Sequence, residues 1–325
     1  MDNLCHSLVG LALAEAGLRR RTRHATATLV VAANLPDVDA LLYFAGDSTL
    51  SLAGRRGWTH GVLALVLLPI LLAAAVAWWD AVRRRRVRRA GRSAPLPATW
   101  RDLALVAAVG VWSHSLLDWL NSYGVRLLMP FSGEWFYGDG VFIIDPWLWL
   151  ALAVGALASW RRWRDPRASN PGRPARVALA ACAAYVTLLV ASAAAGRHVV
   201  ERLAAAAGSR PARRVMVGPV PLTPLRRDVV RDLGDGYEVG TLHWLPRPRY
   251  EALGQLASNA PPSLARAAAS TPRGRAFLTW SRFPYFTASP EPPGRVRIAD
   301  ARYEGRGRTG WAVVEVEVPP VPDAP

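Results

Sequence analysis

Residues 62–79 run for 18 positions without a charge, and residues 177–196 for 20. A helix needs roughly 20 apolar residues, range ~17–25, to cross a ~30 Å hydrocarbon core. Both runs qualify, and they constrain the chain more than any other feature: its first part must be an integral-membrane helical bundle. Two further runs complete an expectation of four main spans. Residues 146–160 form a shorter one, extended backwards if Asp145 is tolerated, and residues 103–120 a full-length one that carries His114 and Asp118. Two shorter apolar helices precede them, near residues 4–18 and 25–33. At ~1.5 Å per residue neither comfortably crosses, so they are expected as a helical hairpin packed in the bundle or partly inserted.

The chain carries a net charge of +16 from 40 basic residues, every one of them arginine. Such a charge first suggests nucleic acid or an anionic surface. However, the arginines cluster between apolar runs, at 19–23 ("RRRTR"), 83–92 ("RRRRVRRAGR") and 161–167 ("RRWRDPR"). That is the distribution of topology signals, so nucleic acid is disfavoured as a partner and these loops are expected on the cytoplasmic side. His24, inside the first cluster, is expected to be solvated. Only two cysteines are present, Cys5 and Cys182, which argues against a disulfide framework or a cysteine-based zinc site. "MDNLCHSLVG" has no basic leading region, so no removable signal peptide is expected.

Residues 197–325 differ in kind. They are proline-punctuated and hold alternating runs, "RVMVGPV", "YEVGTLHW", "RVRIADARY" and "WAVVEVEV", that predict strands. "PSLARAAAS" and "RGRAFLTW" predict helices. The expected fold class is therefore mainly α: a membrane helical bundle at 1–196 and a soluble α+β domain at 197–325. By span counting that domain lies outside the cytoplasm.

Polar residues in the apolar part gather at one end of the expected bundle. His6 opens the first helix. Asp37 and Asp39 stand in "NLPDVDALL", His60 in "RGWTHG", and Asp139 and Asp145 in "FYGDGVFIIDPW". His114 and Asp118, four apart, project from one helix face. A carboxylate at membrane depth costs at least ~2.5–3.5 kcal/mol on insertion scales. Imidazole and carboxylate together suit zinc, manganese or iron, and an ion would compensate Asp118 where lipid cannot hydrate it. Each residue also has a plainer reading. Asp37 and Asp39 can end one helix and cap the next, Asp145 can cap a helix, Asp139 can be a turn residue, Glu134 a loop charge and His60 an interfacial residue. The His114–Asp118 spacing alone fits a buried hydrogen-bonded pair. The aromatic residues of 131–149 read as an interfacial belt.

"HSLVG", "NLPDVDALL", "RGWTHG", "HSLLDWLNSYGVRLLMPF" and "IDPW", in that order over about residues 1–195, resemble the bacterial inner-membrane-associated metal-dependent hydrolases, a family also described as LexA-binding. The tail, with "WSRFPYF", resembles the extension of longer members. That family is in turn similar to zinc-dependent phospholipases C and single-strand nucleases. The resemblance implies a multi-pass protein of the bacterial inner (plasma) membrane. It implies His6, Asp37 or Asp39, His60, His114 and Asp118 as ligands of one to three divalent ions, zinc first and manganese second. The sequence departs from the soluble enzymes in two ways. They use a processed N-terminal residue as a ligand, and they supply later histidines, whereas here none follows His114 before His198. Asp139, Asp145 or Glu134 then substitute, or fewer ions are held.

The expected activity is hydrolysis of a phosphoester in a lipid or lipid-linked substrate. His6, His60 and His114 would bind metal as neutral imidazoles, and Asp118 would bind or bridge. Asp37 or Asp39 would bind or serve as base, and Asn121, Tyr123, Asp139 and Asp145 would contact substrate. Membrane lipid is the expected partner. The competing expectation is a non-catalytic membrane protein with a structural polar cluster, whose C-terminal domain binds a protein partner.

Overall fold

The computed structural model describes residues 1–44, 48–289, 294–304 and 311–318. The chain divides into two compact units, one of residues 1–39 and 56–190 and the other of residues 40–55 and 191–325.

The first unit is helical. Asp2 caps α1 (Asn3–Glu15), its carboxylate accepting from the Leu4 and Cys5 amides at 3.0 and 3.1 Å. After α2 (Ala25–Ala32) the chain tightens into a 3₁₀ segment, Leu35–Phe44, where Pro36 cannot continue an α-helix. Helix α3 (Ser48–Gly54) belongs to the second unit. Helices α4 (Val62–Arg89), α5 (Trp100–Trp119) and α6 (Pro146–Arg162) follow. Helix α7 (Arg173–Ala206) is assigned to the first unit as far as Val190 and to the second from Ala191.

Only α4 and α7, among the described residues, are long and apolar enough to cross a membrane. Helix α2 and the 3₁₀ segment, bent by 46°, would make a third if they form one broken span. The 28 and 34 residues of α4 and α7 give lengths of about 42 and 51 Å, beyond a ~30 Å core. The expected four main spans are thus reduced. Residues 103–120 and 146–160 do form helices, but α5 carries Arg101, Asp102, His114 and Asp118, and α6 has 17 residues ending in two arginines.

Helix α2 lies between α1 and α5. At Gly110 of α5 a Cβ would come within 2.5 Å of the Ala32 Cβ and 3.0 Å of the Leu29 carbonyl, so only glycine admits this approach. Leu29 and Val106 pack there, and Ala32, Ala107 and Val111 meet Leu65 and Leu68 of α4. On the other side Cys5 and Ala12 of α1 pack with Leu148 and Leu152 of α6 and Leu189 of α7.

The arginine-rich ends meet at one end of this unit. Buried Asp80 of α4 is ion-paired to Arg23 and lies 2.8 Å from His24 Nε2. His24 is therefore not solvated; a carboxylate on the neighbouring helix draws it in. Arg21 approaches Asp102 at 3.9 Å, and the Trp163 indole donates to the Glu15 carbonyl at 3.0 Å.

The second unit has two antiparallel sheets. Strands β1 (Arg214–Pro219), β2 (Arg226–Asp232), β3 (Tyr237–His243) and β4 (Arg249–Leu256) form a meander in that order. Helices α8 (Pro262–Ser270) and α9 (Pro272–Trp280) precede β5 (Pro284–Ala288), β6 (Arg295–Asp300) and β7 (Val313–Glu317). Met216, Val230 and Val239 of the first sheet pack on Phe283, just before β5, and on Tyr285 and Ala299 of the second. Val200 of α7 packs on Val217, Val229 and Leu242. Buried Arg231 donates to Glu201 at 2.7 Å and to Glu238 at 2.6 Å, and buried Asp300 is held by Arg302 and Ser281.

Candidate metal centre

Four ligand-type side chains converge in the first unit at the end opposite the arginines. The 3₁₀ segment after α2 supplies Asp37, the turn before α4 supplies His60, and α5 supplies His114 and Asp118. All four are buried, and one ligand atom from each lies within 4.8 Å of the others. Three separations are shorter. His60 Nε2 lies 3.1 Å from His114 Nε2, and the Asp118 Oδ2 atom lies 3.3 Å from the first and 3.5 Å from the second. His114 Nε2 is 3.8 Å from Asp37 Oδ1. Bonds of ~2.0–2.1 Å in a tetrahedral zinc site imply ligand atoms roughly 3.3 Å apart, so the set fits an ion of that size.

The protons of the two imidazoles follow from their outer partners. His114 Nδ1 lies 2.8 Å from the Ala33 carbonyl, which can only accept, so Nδ1 carries the proton. His60 Nδ1 is 2.9 Å from the Thr59 hydroxyl. That hydroxyl donates to Asp39 Oδ2 at 2.8 Å, so it accepts from His60. Both Nε2 atoms therefore present lone pairs to each other and to the Asp118 carboxylate. Burial pushes the His60 imidazole down in pKa by more than Asp118 beside it pushes it up, which favours the neutral form. Three acceptor atoms face one another with no proton between them, which is the arrangement a cation resolves.

His6 and Asp39 adjoin this group rather than enter it. His6 stacks on His114 with ring centroids 3.8 Å apart, and its Nε2 is 3.3 Å from Asp118 Oδ1. Burial holds its pKa down to about 3. Asp39 accepts from the Arg56 amide at 2.7 Å as well as from Thr59, and it lies 3.5 Å from His60 Nδ1.

Of the residues expected at the substrate, Asn121 and Tyr123 lie beside the group. The Asn121 side-chain oxygen accepts from the Tyr123 amide at 2.8 Å and from Arg56 at 3.2 Å, while its buried Nδ2 has no hydrogen-bond partner among the described residues. Asp145 caps α6, accepting from the Trp147 and Leu148 amides, and its second oxygen accepts from Tyr185 at 3.2 Å. Asp139 is fully buried in an irregular segment, at φ +52. Neither Asp139 nor Asp145 is among the four.

Sequence reasoning passed over Arg56. Its guanidinium sits 3.1 Å from Asp118 Oδ2 and 3.2 Å from Asp118 Oδ1, and stacks over Tyr123 at 4.6 Å. Its backbone adopts φ +51, a region uncommon for a residue with a side chain, and so links Asp39 by its amide to Asp118 by its side chain. Its place inside "RGWTHG" was the available signal. The Met1 amine, also unforeseen, contacts Asp118.

A family model described as "YdjM inner membrane protein" matches residues 1–198. The inner membrane protein YbcI of Escherichia coli (strain K12) is 31% identical over 133 residues, which cover 40% of this chain and 64% of that protein. The chain thus spans somewhat less than two thirds of that relative's length. No solved structure matches.

Proposed function

The chain belongs to the YdjM inner membrane protein family, and from that premise we propose that it is a membrane-bound, metal-dependent hydrolase of phosphoesters in lipid or lipid-linked substrates. The observation that carries this reading is the set of unprotonated atoms, His60 Nε2, His114 Nε2 and an Asp118 oxygen, within 3.1–3.5 Å of one another. His60, His114, Asp118 and Asp37 would hold the ion, zinc in preference to manganese given two imidazoles and two carboxylates. When bound, such an ion supplies Lewis acidity and acidifies water at neutral pH.

The chain's own residues do the rest. Ala33 and the Thr59–Asp39 pair fix the tautomers of the two imidazoles, and Arg56 fixes the Asp118 carboxylate. Asp39 is the base held near the reacting water, and His6, stacked on His114 and 3.3 Å from Asp118, helps hold both in place. The Asn121 Nδ2 donates to a substrate oxygen, and Tyr123 lines its approach. In this reading the arginine-rich loops face the cytoplasm, and the centre and the C-terminal domain face away from it.

A second reading is favoured by the ion pair of Arg56 with Asp118, which already compensates one carboxylate. There the cluster is structural and the C-terminal domain binds a protein partner. Elemental analysis of purified wild type beside His114→Ala separates the two. The hydrolase reading expects about one equivalent of zinc or manganese in wild type and close to none in the variant; equal content in both overturns the site. Metal-loaded protein that turns over no phospholipid or simple phosphodiester leaves the structural reading standing.

A further inference from the structure

A second feature of the same unit runs along α6. A groove of about 810 Å³ runs between α6 and the start of α7. That volume is within the ~300–1,000 Å³ of small-molecule sites. Leu150, Val154 and Val177 make its apolar wall, Trp147 stands at one end and Arg162 and Arg173 at the other. From Trp147 to Arg162 is 15 residues of helix, about 22 Å. Leu150, Val154 and Val177 are each more than half exposed, as a wall awaiting a cover would be.

Charge selects the cover. Arg162 and Arg173 are exposed, and among the described residues neither makes an ion pair; Arg162 spends one bond on the Ser169 carbonyl at 2.9 Å. Two guanidiniums at the head of an apolar trough of this length match a phosphate with a hydrocarbon chain. Basic pockets between membrane helices recognise lipid headgroups on this physical basis.

We propose that the groove between α6 and α7 binds an anionic phospholipid, its phosphate between Arg162 and Arg173 and one acyl chain lying along Val154 towards Trp147. This lipid is not placed for hydrolysis. The arginine end of α6 is tied to the end of α1, through Trp163 and Glu15, whereas the start of α6 is tied to Asp2, through Trp149 at 3.1 Å. The phosphate thus sits by the Glu15 end of α1, nine residues and about 14 Å of helix from His6. The site stands whether or not the metal centre is catalytic.

The test uses the full chain in detergent, titrated with phosphatidylglycerol and with phosphatidylcholine of the same acyl chains and read by native mass spectrometry. Wild type should prefer the anionic lipid by about 30-fold, from two arginines at ~1 kcal/mol each. Arg162→Gln with Arg173→Gln should bring the two lipids to near equality. Val154→Trp, which fills the groove and keeps both charges, should lose tight binding of either. Equal affinity of wild type for the two lipids overturns the proposal, and so does a preference that survives the double substitution. Unchanged binding to Val154→Trp would place the lipid elsewhere on the surface. Crosslinking of Val154→Cys into dimers in the presence of phosphatidylglycerol would give the groove to a second copy of the chain instead.

Discussion

Each unit of this protein buries a carboxylate among basic and hydroxyl groups, and the two networks differ in one respect. In the second unit Asp300 is saturated. One oxygen accepts from Ser281, from the Arg282 amide at 2.7 Å and from Arg302 Nη2, and the other from the Arg302 amide and Nε, both at 2.9 Å. Donors and acceptors there are matched, and the network is closed. In the first unit the Asp118 carboxylate faces two imidazoles whose outer nitrogens already carry the protons. Arg56 and the Met1 amine serve that carboxylate from one side, but between Asp118 Oδ2 and the two Nε2 atoms acceptors face acceptors, and that side of the network is open to a cation. Burial of polar groups alone does not mark a functional site; an imbalance of donors over acceptors, or the reverse, does.

The largest expected effect falls on the closed network. Asp300→Ala takes the carboxylate from buried Arg302 and should cost about 3–5 kcal/mol of the second unit's stability. Denaturant unfolding followed by the circular dichroism of the sheets measures it, and metal content should not change. A loss of bound metal in this variant would break the contrast between the two networks.

A smaller effect tests the open one. Asp39→Asn keeps the four ligands but weakens the acceptor that sets the Thr59–His60 tautomer, and should lower metal affinity ~10–100-fold. Competition with a metallochromic chelator reads this directly. An unchanged affinity would make Asp39 a bystander to His60.

The least drastic test is acid titration. His60 and His6 have pKa values depressed by burial, so the unfolded chain takes up protons at ~6.5, before the folded one does. Their contribution is complete above pH ~6.5 and declines as pH falls below it, for His6 as far as about 3. Burial pushes Asp300 up, but Arg302 and Ser281 outweigh it and hold its carboxyl below the ordinary ~3.9. Its contribution is complete above that value and is lost only as pH falls through the lower folded one. Between pH ~6.5 and ~4 the first unit should therefore lose stability towards denaturant while the sheets of the second keep their circular dichroism. Simultaneous loss of both would mean that the networks do not titrate separately.

The sequence made the metal-type residues legible because a histidine or aspartate in an apolar run has few reasons to be there. It hid their supports. The Ala33 carbonyl has no signature in a sequence, and Thr59 is one hydroxyl among many. Arg56 was masked by the arginine clusters at 19–23, 83–92 and 161–167, which read as topology signals. The second unit shows the same limit. Strands β1, β3, β6 and β7 follow from alternation, but β2 buries Arg227 and Arg231, charged residues that break the apolar alternation a strand is recognised by. Glu201 of α7, Glu238 on the neighbouring strand and the Arg210 carbonyl together make an inward Arg231 tolerable. The span count fell for the opposite reason. Hydropathy made α5 and α6 look like crossings, whereas the residues that disqualify α5 include those that build the centre.

Gly110 stands one helical turn before His114 and on the same face of α5. Its bare backbone lies against Ala32, whose neighbour Ala33 holds the His114 ring. The spacing between α2 and α5, and with it the reach from ring to carbonyl, is therefore gauged by the radius of a hydrogen atom. A methyl group at Gly110 would touch no ligand, carry no charge and still act as a wedge, prising the imidazole from the oxygen that orients it. In this protein the tolerance of the chemistry is set by a contact that has no chemistry of its own.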